Sequence, residues 1–127
     1  MKNSRQIIGK KGEDEACRYL ESLGHRILER NWRYSRLELD IISLLDRELH
    51  FVEVKSRTAP ALAAPEINVG RAKQHRLTEA ALAFMNSERR RGLPSGLEVY
   101  FDIITLLFDG PDFEIEYYPQ AFIPTYA

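Results

Sequence analysis

The sequence predicts an α/β domain, a mixed sheet flanked by helices, with elements in the order α-β-β-β-α-β-β. Three observations predict it. Apolar residues recur at helical spacing through residues 4–23 and again through 68–90. Between these stretches lie strand-like runs rich in β-branched and aromatic residues, separated by short polar breaks. Beyond the second helix, an apolar run over 97–108 and a shorter one over 113–118 are divided by Gly110-Pro111-Asp112.

The first helix is expected from Ser4 to Leu23, capped by Asn3 or Ser4 and stopped by Gly24. Its apolar stripe holds Ala16, Cys17, Leu20 and Leu23, and at about 100° per residue Glu13 falls inside that stripe. Gly9 and Gly12 flank Glu13 and leave room for a close backbone or a ligand. The alternative for Glu13 is a rim position paired with a lysine. Strands are expected over His25–Tyr34, Leu37–Leu45 and Leu49–Lys55, with Asp46-Arg47-Glu48 as the turn between the last two. Residues 58–68 form a loop long enough to act as a flap.

The second helix is expected over Asn68–Arg90, with Val69, Leu77, Ala80, Ala81 and Phe84 facing inward. Arg89-Arg90-Arg91 would suit the negative end of its dipole, whereas Arg71, Lys73 and Arg76 crowd the unfavourable end and need another reason to be there. Gly92, Pro94 and Gly96 break the chain before the strand at Leu97–Phe108. The last strand is short, Phe113–Tyr118, with Pro119 and Pro124 ending regular structure.

A length of 127 residues fits one domain, 1–127, with a core of its own. Apolar residues make up 44% and charged residues 29%, ordinary for a soluble domain. No apolar run approaches the roughly 20 residues that span a bilayer, and Met1–Arg5 lacks a signal-peptide pattern. A single cysteine, Cys17, excludes an internal disulfide framework and points to the cytoplasm. All 18 Lys and Arg lie in residues 1–96, while residues 97–127 hold six acids and none of the basic residues. That asymmetry fits a polyanion on one face, though an ordinary charged surface would look the same.

The chemistry concentrates in Glu38-Leu39-Asp40-Ile41-Ile42 and Phe51-Val52-Glu53-Val54-Lys55, two strands that carry carboxylates within apolar runs. A buried carboxylate is costly unless it is paired or holds a metal. Strict alternation puts Glu38, Asp40, Ile42 and Leu44 on one face, and Leu49, Phe51, Glu53 and Lys55 on one face. Closing the hairpin at Leu45 and Glu48 sets Asp40 opposite Glu53 and Glu38 opposite Lys55. Opposed carboxylates repel unless a cation lies between them, and Mg²⁺ or Mn²⁺ suits such a hard oxygen set. Such an ion activates water and stabilises phosphoryl charge, and Lys55 would orient or deprotonate the nucleophile.

Glu13, if its helix packs over this face, would complete the metal shell. The alternative is a plain cross-strand salt bridge, against which the apolar Ile42, Leu44 and Phe51 on the same face argue. Candidate phosphate contacts are Lys10, Lys11, Arg57, Arg71, Lys73 and Gln74. His25, His50 and His75 lack zinc-ligand spacing, and Asp102 reads as a core polar residue bonded to a neighbour.

Gly9-x-x-Gly12-Glu13 with Ala16 and Tyr19-Leu20 resembles the opening of the small bacterial YraN-type family. The resemblance continues through Gly24–Arg33, Glu38-x-Asp40-Ile41-Ile42, Phe51–Arg57, Lys73 and Phe101-Asp102-Ile103. That uncharacterised family is similar to archaeal Holliday junction resolvases and has a restriction-endonuclease-like fold. The resemblance implies an α-β-β-β-α-β core, Asp40 and Glu53 as metal ligands beside the Val54 carbonyl, Lys55 as the catalytic lysine and Glu13 as the helix acid. It also implies branched or repair-intermediate DNA as substrate and a homodimer. Leu37 and Tyr100 depart from the family's usual glycine and arginine. The expected function is therefore metal-dependent phosphodiester hydrolysis in DNA. Rival expectations are a nucleic-acid-binding module without turnover and a protein-interaction domain.

Overall fold

The computed structural model describes residues 3–123. Asn3 starts the first helix, α1 (Ser4–Ser22), by a reciprocal exchange with Gln6. Its side chain accepts from the Gln6 N–H, and the Gln6 side chain accepts from the Asn3 N–H, both at 2.9 Å. Gly24 ends the helix at φ 98°. The N–H groups of Gly24 and His25 turn back to the Glu21 and Leu20 carbonyls, the left-handed closure that glycine permits.

One sheet follows: β1 (Arg26–Tyr34), β2 (Leu37–Leu45), β3 (Glu48–Thr58), β4 (Glu98–Asp109) and β5 (Asp112–Phe122). The strands lie side by side in chain order. β3 and β4 are parallel, and the other neighbours are antiparallel. A parallel pair needs a crossover, and α2 (Arg71–Met85) lies within it. The mixed five-stranded sheet and its two helices are the architecture the sequence predicts. No described helix is long and apolar enough to cross a membrane.

Each helix covers its own core. Ala16, Cys17 and Leu20 of α1 pack on Ile41, Val52, Ile104, Leu106 and Phe108. Ala80, Ala81 and Phe84 of α2 pack on Leu39, Ile42, Leu49, Phe51 and Phe101. Phe84 meets Trp32 and Phe51 edge-on at 5.4 and 5.9 Å, contacts worth about 0.5–1.5 kcal/mol each beyond burial. Gly12 sets how closely α1 approaches β3, since a Cβ there would stand 1.8 Å from Ser56 Oγ.

Several boundaries differ from expectation. α2 spans Arg71–Met85, not Asn68–Arg90. Asn86 ends it, and the Ser87 hydroxyl, an acceptor for the Arg89 N–H, opens a separate 3-10 turn at Glu88–Arg90. The arginine run therefore does not sit on the α2 dipole. Arg89 pairs with Glu29, and Arg90 donates to the Leu93 and Pro94 carbonyls. β3 continues past Lys55 to Thr58 because it pairs with β4 out to Phe108.

β5 is longer than Phe113–Tyr118 and passes through Pro119, which an edge strand tolerates because it has no ladder partner to satisfy on one side. Pro124, the other expected stop, lies outside the described residues.

Asp102 is indeed a core polar residue, and its partners come from far along the chain. It accepts from Tyr117 OH (2.5 Å) and the Gln120 N–H (3.0 Å), and its Oδ2 lies 2.5 Å from His50 Nδ1. His50 Nε2 reaches Glu48 at 2.9 Å, and the His25 ring, 4.7 Å from that of His50, bonds Ser43. Burial alone would lower the His50 pKa; hydrogen bonds and charge from Asp102 and Glu48 outweigh it and raise it. Burial and the neighbouring His50 lower that of His25.

Candidate metal centre

The β2–β3 hairpin has the register predicted from its turn. Leu45 pairs with Glu48, and the ladder runs to Ile41↔Val52. Asp46 makes the turn in the left-handed region, at φ 52°. Beyond Ile41 the strands fork. There the Val54 N–H donates to Asp40 Oδ2 at 2.8 Å, so a side chain takes the place of a strand partner.

The fork coincides with a break in alternation. Leu39 and Ile42 both enter the core under α2, while Ile41 enters the core under α1. Strict alternation would place Leu39 with Ile41. On β1 the flanking pairs are Arg30↔Ile41 and Trp32↔Leu39, and between them Asn31 turns to φ 54°. A left-handed residue in a strand reverses the facing of its neighbours. The predicted common face for Glu38, Asp40, Ile42 and Leu44 is therefore not formed.

Glu38 is not opposite Lys55 in an ion pair. It pairs with Arg33 of β1 at 3.4 Å, and Lys55 Nζ donates to the Glu66 backbone carbonyl in the loop after β3. Arg57 holds the same loop through the Ala63 carbonyl.

Asp40 lines cavities on both sides of the fork. One, of about 170 Å³, is also lined by Glu53, Lys73, Arg76 and apolar residues of the α2 core. The other, of about 400 Å³, is lined by Glu13, Val54, Ser56 and Arg57. Burial pushes the Asp40 pKa up to about 7, helped by the negative charges of Glu13, Glu53 and Glu38 and opposed by the Val54 N–H. Glu53 is held by Lys73 through Oε1, while its Oε2 is buried with no hydrogen-bond partner among the described residues. Lys73 at the start of α2 thus has its reason: Glu53 offsets the unfavourable helix end.

Glu13 sits at the half-buried rim of α1 rather than deep in its stripe. Asn31 donates to it at 3.2 Å, and Arg30 lies 3.7 Å away. Among the described residues, no three His, Cys, Asp or Glu side chains converge closely enough to hold a metal. Glu13, Asp40 and Glu53 are thus brought to one end of the sheet but not onto one point.

The donor set still fits a hard cation. Mg²⁺ and Mn²⁺ are held by one or two carboxylates plus water and substrate oxygen. Asp40 and Glu53 supply two, one with its pKa raised by burial and then by neighbouring negative charge, and one with a buried oxygen that lacks a hydrogen-bond partner among the described residues.

Of the predicted phosphate contacts, Lys10 pairs with Asp14 at 3.6 Å and Lys11 lies over the Phe108 ring at 5.7 Å. The Gln74 side chain donates to the Val69 carbonyl, and Arg71 is exposed. The Glu53–Lys73 contact escaped sequence reasoning, although the unfavourable charge at the α2 start was the signal that could have found it.

The model of the uncharacterised protein family UPF0102 matches residues 12–106. A UPF0102 protein of Bacteroides thetaiotaomicron is 39% identical over 117 residues, covering 92% of this chain and 93% of its own. One from Trichlorobacter lovleyi is 40% identical over 119 residues, 92% of this chain and 91% of its own. One from Nitratidesulfovibrio vulgaris is 46% identical over 85 residues, 67% of this chain and 63% of its own. A match over most of the chain, in family model and relatives alike, assigns the chain to UPF0102.

Proposed function

We propose that this chain is a divalent-metal-dependent, endonuclease-type hydrolase of DNA, with branched or repair-intermediate DNA as its substrate class. The observation that carries this reading is the pair at the β2–β3 fork. Asp40, with its pKa raised to about 7 by burial and then by neighbouring negative charge, and Glu53, with a buried oxygen unpartnered among the described residues, form a buried acidic site that a cation would relieve.

Asp40 and Glu53 would hold Mg²⁺ or Mn²⁺, with the Val54 carbonyl and Glu13 beside them. The bound ion would lower the pKa of a water and neutralise charge on the phosphoryl oxygens. Lys55 would orient or deprotonate the nucleophile after leaving the Glu66 carbonyl, and the 59–70 loop would then act as a flap. Arg71 and Arg76, exposed on the first two turns of α2, would bind the DNA backbone. The resolvase resemblance adds a homodimer, measurable by light scattering, and the single cysteine adds a cytoplasmic location.

The test is cleavage of linear and branched DNA with Mg²⁺ or Mn²⁺. Wild type should cut, and Glu53→Ala or Lys55→Ala should abolish cutting while the protein stays folded. Cutting that survives both substitutions sinks the proposal. A second reading, DNA binding without turnover, is favoured by one observation: Glu13, Asp40 and Glu53 do not gather into a three-ligand set. It predicts salt-sensitive binding with no cleavage under any divalent ion.

A further inference from the structure

The Glu53 carboxylate already carries a cation, and that cation belongs to the protein. Lys73 Nζ engages Oε1, and Oε2 has no hydrogen-bond partner among the described residues. We propose that Lys73 is the resident counter-cation of Glu53 and competes with the divalent ion for this carboxylate, so that loading the site expels its ammonium. The inference rests on the reading of Asp40 and Glu53 as a cation site.

The position of Lys73 is otherwise unfavourable. It lies in the first turn of α2, at the positive end of the helix dipole. That turn contains no acidic residue, and Gly70 supplies no side-chain cap. Glu53 provides the compensation. A divalent ion on the same carboxylate would face the ammonium at close range, and two cations sharing one carboxylate repel each other. Occupancy by one therefore opposes the other.

Lys73 is built to leave. Its side chain is 41% exposed, so its flexible stem can carry the ammonium into water. Arg76 lines the same cavity. Once released, Lys73 would add a second cation beside Arg76 in the lining of this cavity, available to a substrate phosphate. Lys55 is engaged by the Glu66 carbonyl, and it is Lys73 that contacts Glu53. Lys73 is accordingly a positioning residue that couples ion loading to phosphate capture.

A purely structural role gives the opposite expectation. If the Lys73–Glu53 contact only pins α2 to β3, removing Lys73 loosens the site and weakens metal binding. The experiment is calorimetric titration of Mn²⁺ into wild type, Lys73→Met and Lys73→Arg, with thermal unfolding as the check on folding. The Mn²⁺ dissociation constant of Lys73→Met should fall roughly fivefold, the scale of a partly exposed ion pair. Lys73→Arg, which keeps the charge, should stay near wild type.

Unchanged or weaker binding by Lys73→Met, alongside a wild type that binds, overturns the competition and leaves the cation site standing. No Mn²⁺ binding by wild type or Lys73→Met overturns the cation reading itself, and the competition with it. Should Lys73→Met fail to fold, the decision passes to wild type with ¹³C-labelled lysine. Saturating Mg²⁺ should move the Lys73 side-chain signal to that of a solvated lysine, and an unmoved signal at saturation overturns the proposal.

Discussion

The Asp40 carboxylate stands where a strand partner would, accepting the Val54 N–H at 2.8 Å at the point where β2 and β3 part. One carboxyl thus closes the hairpin ladder and opens the site. These two duties conflict, because the carboxyl is buried among the charges of Glu13, Glu53 and Glu38. The conflict is measurable as stability. The folded pKa, about 7, exceeds the ordinary 3.8. The folded state therefore keeps its full stability from this group below 3.8 and loses it as pH rises through 7. Asp40→Asn keeps the acceptor for Val54 but removes the charge. Urea unfolding should find the variant stabilised at pH 8, by at most about 4 kcal/mol, with the gain vanishing at acid pH. An equal effect at both pH values contradicts the account.

Asp102 also lines the Asp40–Glu53 cavity, but its carboxylate is engaged in a structural network. It joins β4 to β5 through Tyr117 and Gln120, and to β3 through His50. Asp102→Ala strands three donors and should cost about 3–5 kcal/mol in chemical denaturation. Whatever fraction remains folded should still bind Mn²⁺ with wild-type affinity.

His50 gives this network a pH signature. Its pKa is raised in the fold. Its contribution is complete below the ordinary histidine value of 6.5 and fades as pH rises through the raised value. The stability gap between wild type and His50→Gln should therefore narrow from pH 6 towards pH 9. A gap that widens would show that the neutral ring is the favoured form.

Gly12 sets the seat of α1. An alanine Cβ would meet Ser56 Oγ at 1.8 Å and Ser56 Cβ at 3.0 Å. Gly12→Ala should destabilise by about 1–3 kcal/mol despite alanine's better helix propensity. Removing the hydroxyl with Ser56→Ala should recover part of that loss, which a double-mutant cycle would measure. Full additivity would mean the two residues do not meet.

Much of this arrangement was legible because it depends on near neighbours. The Asp46-Arg47 turn fixed the hairpin register, and the Asn3 and Gly24 signals bounded α1. The ends of α2 were missed although Asn86 and Ser87 are cap-forming residues, because the arginine run extended the apparent helix. The break in facing at Asp40 was not legible, since it goes with one left-handed asparagine on the neighbouring strand. The partners of Asp102 and Glu53 were hidden for another reason. Those contacts join residues 15 to 52 positions apart and exist only once helices and strands have docked.

The central claim is that Asp40 and Glu53 hold one divalent cation at the fork. Titrating Mn²⁺ into wild type, Asp40→Asn and Glu53→Gln by calorimetry tests it most directly, because both variants keep the size and polarity of the side chain. Wild type should bind one ion, with affinity falling as pH drops below about 7, where Asp40 takes up its proton, and each variant should lose that binding. Wild-type affinity in either variant, or no binding by the wild type at pH 8, would contradict it.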